Sequence, residues 1–169
     1  SRFSRRVTPM PANTFGPGDN SDPEWSHVIA GFTGRAHKAK MQNKPSVVIW
    51  GLGKPIREFN SSDDLAEGSI FLLSNLSQSS EEIFPTDSLP IINVGVGRGI
   101  SVGDFAHQVR KTVGFTGDLN YDITYPDGPT EKVLDVRKMS LLSWAGPKTT
   151  LQTGLVSACR DYPQGLGCD

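Results

Sequence analysis

No stretch of this 169-residue chain is apolar for the roughly 18 residues that a membrane-spanning helix needs. It has two cysteines, Cys159 and Cys168, both near its end. That is too few for a disulfide scaffold, so two reduced thiols are expected. Neither charge sign dominates: 17 Lys and Arg stand against 18 Asp and Glu, a net charge of -1. There is thus no global pull toward nucleic acid or an anionic membrane, and neither is expected as a partner. Residues 1–6 are basic but lack the apolar run of a secretory signal, which predicts a cytoplasmic protein. The glycosylation patterns at Asn60 and Asn75 are then chance matches. No histidines and cysteines fall at metal-ligand spacing, so no metal is expected. No internal repeat and no low-complexity segment occurs.

What remains is an ordinary globular composition, 36% hydrophobic and 21% charged, long enough to bury one core. Charge is unevenly spread. Residues 35–57 carry Arg35, Lys38, Lys40, Lys44, Lys54 and Arg57 with no acid, and residues 58–87 carry only acids. Most of these are solvated faces.

Along the chain, residues 7–13 read as an edge strand or strand end, because Pro9 and Pro11 interrupt them. Residues 16–23 are a turn-rich loop. Ser26 reads as the N-cap of a helix over residues 27–41, and His37 within it as structural. Residues 46–50 (SVVIW) predict a short buried strand closed by Gly51-Leu52-Gly53. A helix starts at Asp63 or Asp64, and residues 77–90 form a polar connection. Residues 91–94 are a further buried strand. Ser101 with Asp104 forms a capping box, ahead of a helix with Val102, Phe105, Val109 and Val113 on its core face and His107 in a structural role. Residues 117–123 alternate like a strand, and 138–144 and 150–161 read as short helices. This alternation of strands and helices predicts a mixed α/β domain.

Three features carry possible chemistry. Residues 95–99 (GVGRG) join a strand to a helix, as phosphate-cradling loops do. The third glycine comes one position too early for G-x-G-x-x-G, which favours a tight turn over a dinucleotide site. His27, beside a helix start, is a surface or capping residue, or else a neutral imidazole able to exchange a proton. Trp50 either packs into the core or offers a flat face to a base or sugar ring.

Several ordered motifs together are similar to the GDP-L-fucose synthases, which are extended short-chain dehydrogenases/reductases. They are MPAN (10–13), GPGDN (16–20), SHVI (26–29), VVIWGLGKPIREF (47–59), DDLA (63–66), IINVG (91–95), PDG with KVLDV (126–136) and LLSW (141–144). They cover nearly the whole chain. The resemblance implies the C-terminal part of such a fold: the last Rossmann strands plus the small substrate-binding domain. It implies an NADPH-dependent enzyme that epimerises C3 and C5 of GDP-4-keto-6-deoxy-mannose and then reduces C4. Protons beside a ketone are removable because the ketone accepts charge as an enolate, and inversion needs an acid and a base on opposite faces.

By that resemblance His27 is the acid, Asn13 lies beside the nicotinamide, Arg35, Arg57 and Lys132 contact the diphosphate and sugar, and Trp50 and Val28 line the same pocket. A diphosphate favours bidentate arginine donors, which singles out Arg35 and Arg57 from the basic stretch. The family's cysteine partner, its Ser, Tyr and Lys, and its glycine-rich NADPH loop belong to an N-terminal half that this chain lacks. None of Tyr121, Tyr125 and Tyr162 begins a Tyr-x-x-x-Lys pair. Residues 1–169 are therefore expected to form a single sugar-nucleotide-binding region, inactive alone, whose partners are a GDP-sugar and that half, in an enzyme that is complete as a homodimer. A different nucleotide sugar, or a non-catalytic binding remnant, is the alternative. The sequence departs from the pattern at Asn60-Ser61-Ser62, where relatives have an apolar strand-like stretch. It departs again at Glu131, where they have a basic residue, and at Val96 in the glycine loop.

Overall fold

The computed structural model describes residues 7–19, 28–75, 83 and 89–160. Their elements run β1 (Thr8–Pro11), β2 (Asn13–Phe15), α1 (Val28–Met41), β3 (Ser46–Trp50), β4 (Ile56–Arg57), β5 (Phe59–Ser61), α2 (Ser62–Asn75) and β6 (Ile91–Val94). β7 (Ile100–Ser101), α3 (Val102–Val113), β8 (Asp118–Asp122), β9 (Glu131–Lys132), α4 (Arg137–Leu141) and α5 (Leu151–Arg160) follow. The result is the mixed α/β arrangement expected. β1 pairs with β6, β2 with β5, β3 with β8 and β4 with β9, all in parallel, and β7 pairs antiparallel with β4. Parallel neighbours require crossovers, and the helices between strands supply them.

Local sequence explains the best-defined helix. Ser101 Oγ accepts from the Asp104 N–H at 2.9 Å, and its hydroxyl donates to Asp104 Oδ2 at 2.6 Å. Gly114 ends α3 at φ 70°, in the left-handed region that costs glycine nothing. Phe105, Val109 and Val113 turn inward and are buried to 1% exposure or less. They meet Phe32 and Ile29 of α1, Phe59 of β5 and Leu155 of α5 in the main core. The Phe105 ring lies 4.7 Å from that of Phe59 and 6.2 Å from that of Phe32. Each such side chain contributes about 1.5–3 kcal/mol by leaving water. A second core joins Leu72, Ile92, Val94 and Met139 where α2 and α4 cover β6.

The structure moves some boundaries. The expected edge strand is two strands, with Ala12 between them. β3 is half-buried rather than buried: Val47 and Ile49 face the core, while Val48 and Trp50 are exposed, because only one face meets the main core. Ser26 and His27 lie outside the described residues, as do most of residues 77–90.

The polar tripeptide is the main surprise. Asn60 and Ser61 belong to β5 and are buried, since β5 is covered on both sides. Parallel strands of this kind are ordinarily all apolar. Asn60 is 1% exposed, and neither its amide nitrogen nor its amide oxygen has a hydrogen-bond partner among the described residues. Burying such a group costs about 1–3 kcal/mol. Leucine has the same heavy-atom branching and no polar group. Asn60→Leu is therefore expected to raise stability by about 1–3 kcal/mol, read as a higher urea midpoint at unchanged slope. A lower midpoint would show that the amide is hydrogen-bonded after all.

Candidate functional site

A cleft of about 480 Å3 opens where β2, β5, β4 and β9 come together, and Asn13, Ile29, Arg57, Phe59 and Lys132 line it. Strand register builds it. Asn13 is opposite Phe59 in the β2–β5 pair, and Arg57 is opposite Lys132 in the β4–β9 pair. Directly opposed residues of neighbouring strands share a face, with strands ~4.8 Å apart. Two cations thus stand side by side, neither with a carboxylate partner among the described residues. Glu131, the residue before Lys132, pairs with Ile56 and borders an adjacent cleft of about 540 Å3 that Asn13 and Lys132 also line. It does not line the Arg57 cleft among the described residues, but it stays one residue from Lys132, where its charge opposes an anion.

Two of these polar groups, Asn13 and Arg57, are held. Asn13 donates its amide to the Glu58 carbonyl at 2.8 Å. Arg57 donates through Nη1 to the Ile56 and Pro129 carbonyls, both at 2.8 Å, and through Nη2 to the Asp127 carbonyl at 3.5 Å. Among the described residues, Nε–H and at least one Nη2 hydrogen are left for a ligand.

Arg35 and Trp50 form a second group, which does not line the Arg57 cleft among the described residues. The Arg35 guanidinium sits 5.6 Å from the ring centres of both Phe32 and Trp50, a cation–π geometry. Burial lowers its pKa below the usual arginine range. Trp50 is 58% exposed, so core packing is not its role, and the Tyr125 ring stacks on it at 4.7 Å. The segment 122–129 links the two groups. Asp127 Oδ1 accepts from the Leu52 N–H at 2.7 Å, while the Asp127 and Pro129 carbonyls hold Arg57. Gly51 permits this: a Cβ there would stand 2.2 Å from Asp127 Oδ1, and its φ is 78°.

The site residue that sequence reading passed over is Glu58, the acid of the R-E-F run. It is 1% exposed. Its Oε1 accepts from the Val96 and Gly97 N–H groups, the latter at 2.9 Å, and its Oε2 from the Leu134 N–H at 2.6 Å. The glycine loop, read from its spacing as a tight turn rather than a dinucleotide site, does cradle an anion, and the anion is the chain's own carboxylate. A Cβ on Gly95 would stand 2.2 Å from Glu58 Oε1, which explains that glycine. Asp64 does likewise for another loop, accepting from the Lys148 N–H at 2.8 Å and the Thr149 N–H at 3.1 Å. Among the described residues no group of acids, histidines and cysteines is placed to hold a metal, and no helix is long and apolar enough to cross a membrane.

His27 lies outside the described residues, as does the Val28 side chain. α1 begins at Val28, and Ile29 lines the cleft, so the helix start is brought to it.

A family model described as the NAD dependent epimerase/dehydratase family matches residues 4–95. GDP-L-fucose synthase 1 of Arabidopsis thaliana is 40% identical over 149 residues, which is 88% of this chain and 43% of that protein. GDP-L-fucose synthase of Escherichia coli K12 is 38% identical over 151 residues, 88% of this chain and 46% of that protein. The chain thus spans less than half the length of these curated relatives. The solved structure of a GDP-L-fucose synthetase from Naegleria fowleri bound to NADP superposes with a TM-score of 0.76 at 28% identity, covering 91% of this chain and 45% of that one. The parallel strand pairs, the family match over more than half the chain and these identities agree: the chain belongs to the NAD dependent epimerase/dehydratase family, and within it is similar to the GDP-L-fucose synthases.

Proposed function

We propose that this chain carries the GDP-sugar site of a GDP-L-fucose synthase-like enzyme, which epimerises GDP-4-keto-6-deoxy-mannose at C3 and C5 and reduces it at C4 with NADPH. The observation that carries this reading is the pairing of Arg57 with Lys132 in one cleft with Asn13, at the start of α1. Paired cations with free donors suit a diphosphate. In this reading Arg57 and Lys132 bind the diphosphate, Arg35, expected beside them but standing with Trp50 outside that cleft, takes the base end with Trp50, Val28 lines the pocket, and His27 protonates the inverted carbon. The relatives named above support the GDP-sugar class.

The cofactor supplies hydride for the C4 ketone. The described residues do not fit its pyrophosphate, because the N–H groups of the glycine loop are occupied by Glu58. Asn13 is the residue left to line the nicotinamide end. The dinucleotide turn and the Tyr-x-x-x-Lys pair are accordingly assigned to an N-terminal half outside this chain.

Arg57→Ala is expected to weaken GDP binding roughly 10- to 150-fold, the equivalent of ~1.5–3 kcal/mol for a hydrogen bond to a charged group. Because Arg57 also tethers residues 127–129, Lys132→Ala is the cleaner second variant; its loss should be of the same sign. Affinity should fall as salt rises. GDP binding by calorimetry that ignores both substitutions and salt would remove the diphosphate from this cleft. Tighter binding of UDP or dTDP sugars would move the chain to another nucleotide sugar.

A further inference from the structure

We propose that Tyr125 is a specificity-determining residue of this site, its ring occupying the face of Trp50 that a nucleobase would take, so that a purine nucleotide must displace it to stack. The proposal rests on the reading of Trp50 as the base-stacking face.

The geometry is that of a base stand-in. The two rings lie 11° from parallel with centres 4.7 Å apart. Aromatic planes in contact are ~3.5 Å apart, so a base between them needs ~7 Å, and the pair leaves no slot. Both residues are exposed, Trp50 by 58% and Tyr125 by 45%, so the stack is a surface contact rather than part of the core. Trp50 also carries the Arg35 guanidinium 5.6 Å from its ring centre.

The backbone under Tyr125 is fixed without help from its ring. Asp122 Oδ1 accepts from the Thr124 N–H at 3.0 Å and the Thr124 hydroxyl at 2.6 Å. Asp127 is pinned to the Leu52 N–H, and its carbonyl to Arg57. Rotation of the Tyr125 side chain therefore uncovers Trp50 while every one of these bonds persists. The barrier that Tyr125 sets applies to the base alone and leaves phosphate contacts at Arg57 and Lys132 untouched. Aromatic side chains off the stack gain solvent and rotamer freedom, which makes the covered state only modestly favoured. A ligand with a large planar base can overcome it, and a pyrophosphate has nothing to gain by doing so.

The test compares GDP with inorganic pyrophosphate, by calorimetry, on the full chain and three variants. Trp50→Ala is expected to weaken GDP roughly 5- to 150-fold, the range for losing base–aromatic stacking, with pyrophosphate unchanged. Tyr125→Ala is expected to tighten GDP roughly 2- to 12-fold, the equivalent of ~0.5–1.5 kcal/mol for an aromatic pair, again with pyrophosphate unchanged. Tyr125→Phe retains the ring and should match the parent. If Trp50→Ala weakens GDP while Tyr125→Ala leaves it unchanged or weakens it, the occlusion is overturned, and the placement of the base stands. If Trp50→Ala leaves GDP unchanged, the placement of the base on Trp50 fails, and the occlusion with it.

Discussion

Replacing Glu58 by alanine is expected to remove on the order of 3–5 kcal/mol of stability, a large share of what a domain of this size holds. The carboxylate is 1% exposed and pairs with no cation among the described residues. Its burial is compensated by three backbone N–H groups, from Val96, Gly97 and Leu134. Alanine leaves all three without an acceptor, at about 1–3 kcal/mol for each that water cannot reach. It also opens space beside Gly95, whose missing Cβ is what let the carboxylate approach. Glu58→Gln separates these causes. An amide keeps its oxygen on one side only, so if it stays on Val96 and Gly97, its NH2 faces the Leu134 N–H, donor against donor. A loss of roughly 1–3 kcal/mol is expected there. Leu134 lies two residues after Lys132, so both variants should also weaken GDP. Urea unfolding decides it: a midpoint for Glu58→Ala equivalent to within ~0.5 kcal/mol of the parent would show that Glu58 does not hold the loop.

What the sequence told and what it hid divide along one physical line. Its signals are local. The capping box at Ser101 placed α3 within a residue, and the SVVIW run matched β3 from end to end. The bounds of β6 were legible for the same reason: four consecutive residues with a turn-forming glycine behind them. β5 was not, because Asn60 and Ser61 are polar, and β2 and α5, both distant in sequence, join the adjacent α2 in packing around the strand. The two-residue strands β4, β7 and β9 carry no period at all. Yet their register is what sets Arg57 beside Lys132, which basic charges counted along the chain could not reveal. Glu58 and Asp64 both stood within recognised motifs. Their tasks were hidden because the N–H groups they accept from lie 38 to 85 residues away. Tyr125 gave no signal either, since a ring in a polar turn declares nothing about the tryptophan it will meet.

The other large effect is expected on the chemistry itself. In an enzyme completed by joining residues 1–169 to the N-terminal half of a relative, His27→Gln is expected to slow epimerisation by about 10²–10⁴-fold while GDP-sugar affinity changes only a few-fold. That range is what a positioned general acid or base contributes. The expectation rests on sequence adjacency: α1 begins at Val28, the next residue, Ile29, lines the cleft beside Asn13 and Arg57, and His27 immediately precedes Val28. Histidine is the side chain whose charge changes near physiological pH, so an imidazole can both take and return a proton. Inversion beside a ketone needs that exchange on one face of the ring, with a second group on the other. Glutamine keeps the size and hydrogen-bonding capacity of histidine but cannot carry the proton, so binding should persist when chemistry fails. The measurement is deuterium entry at C3 and C5 of the bound sugar in heavy water, set beside the dissociation constant of the same ligand. Exchange at the parent rate would remove His27 from the proton transfer. A loss of binding as large as the loss of exchange would make it a positioning residue instead.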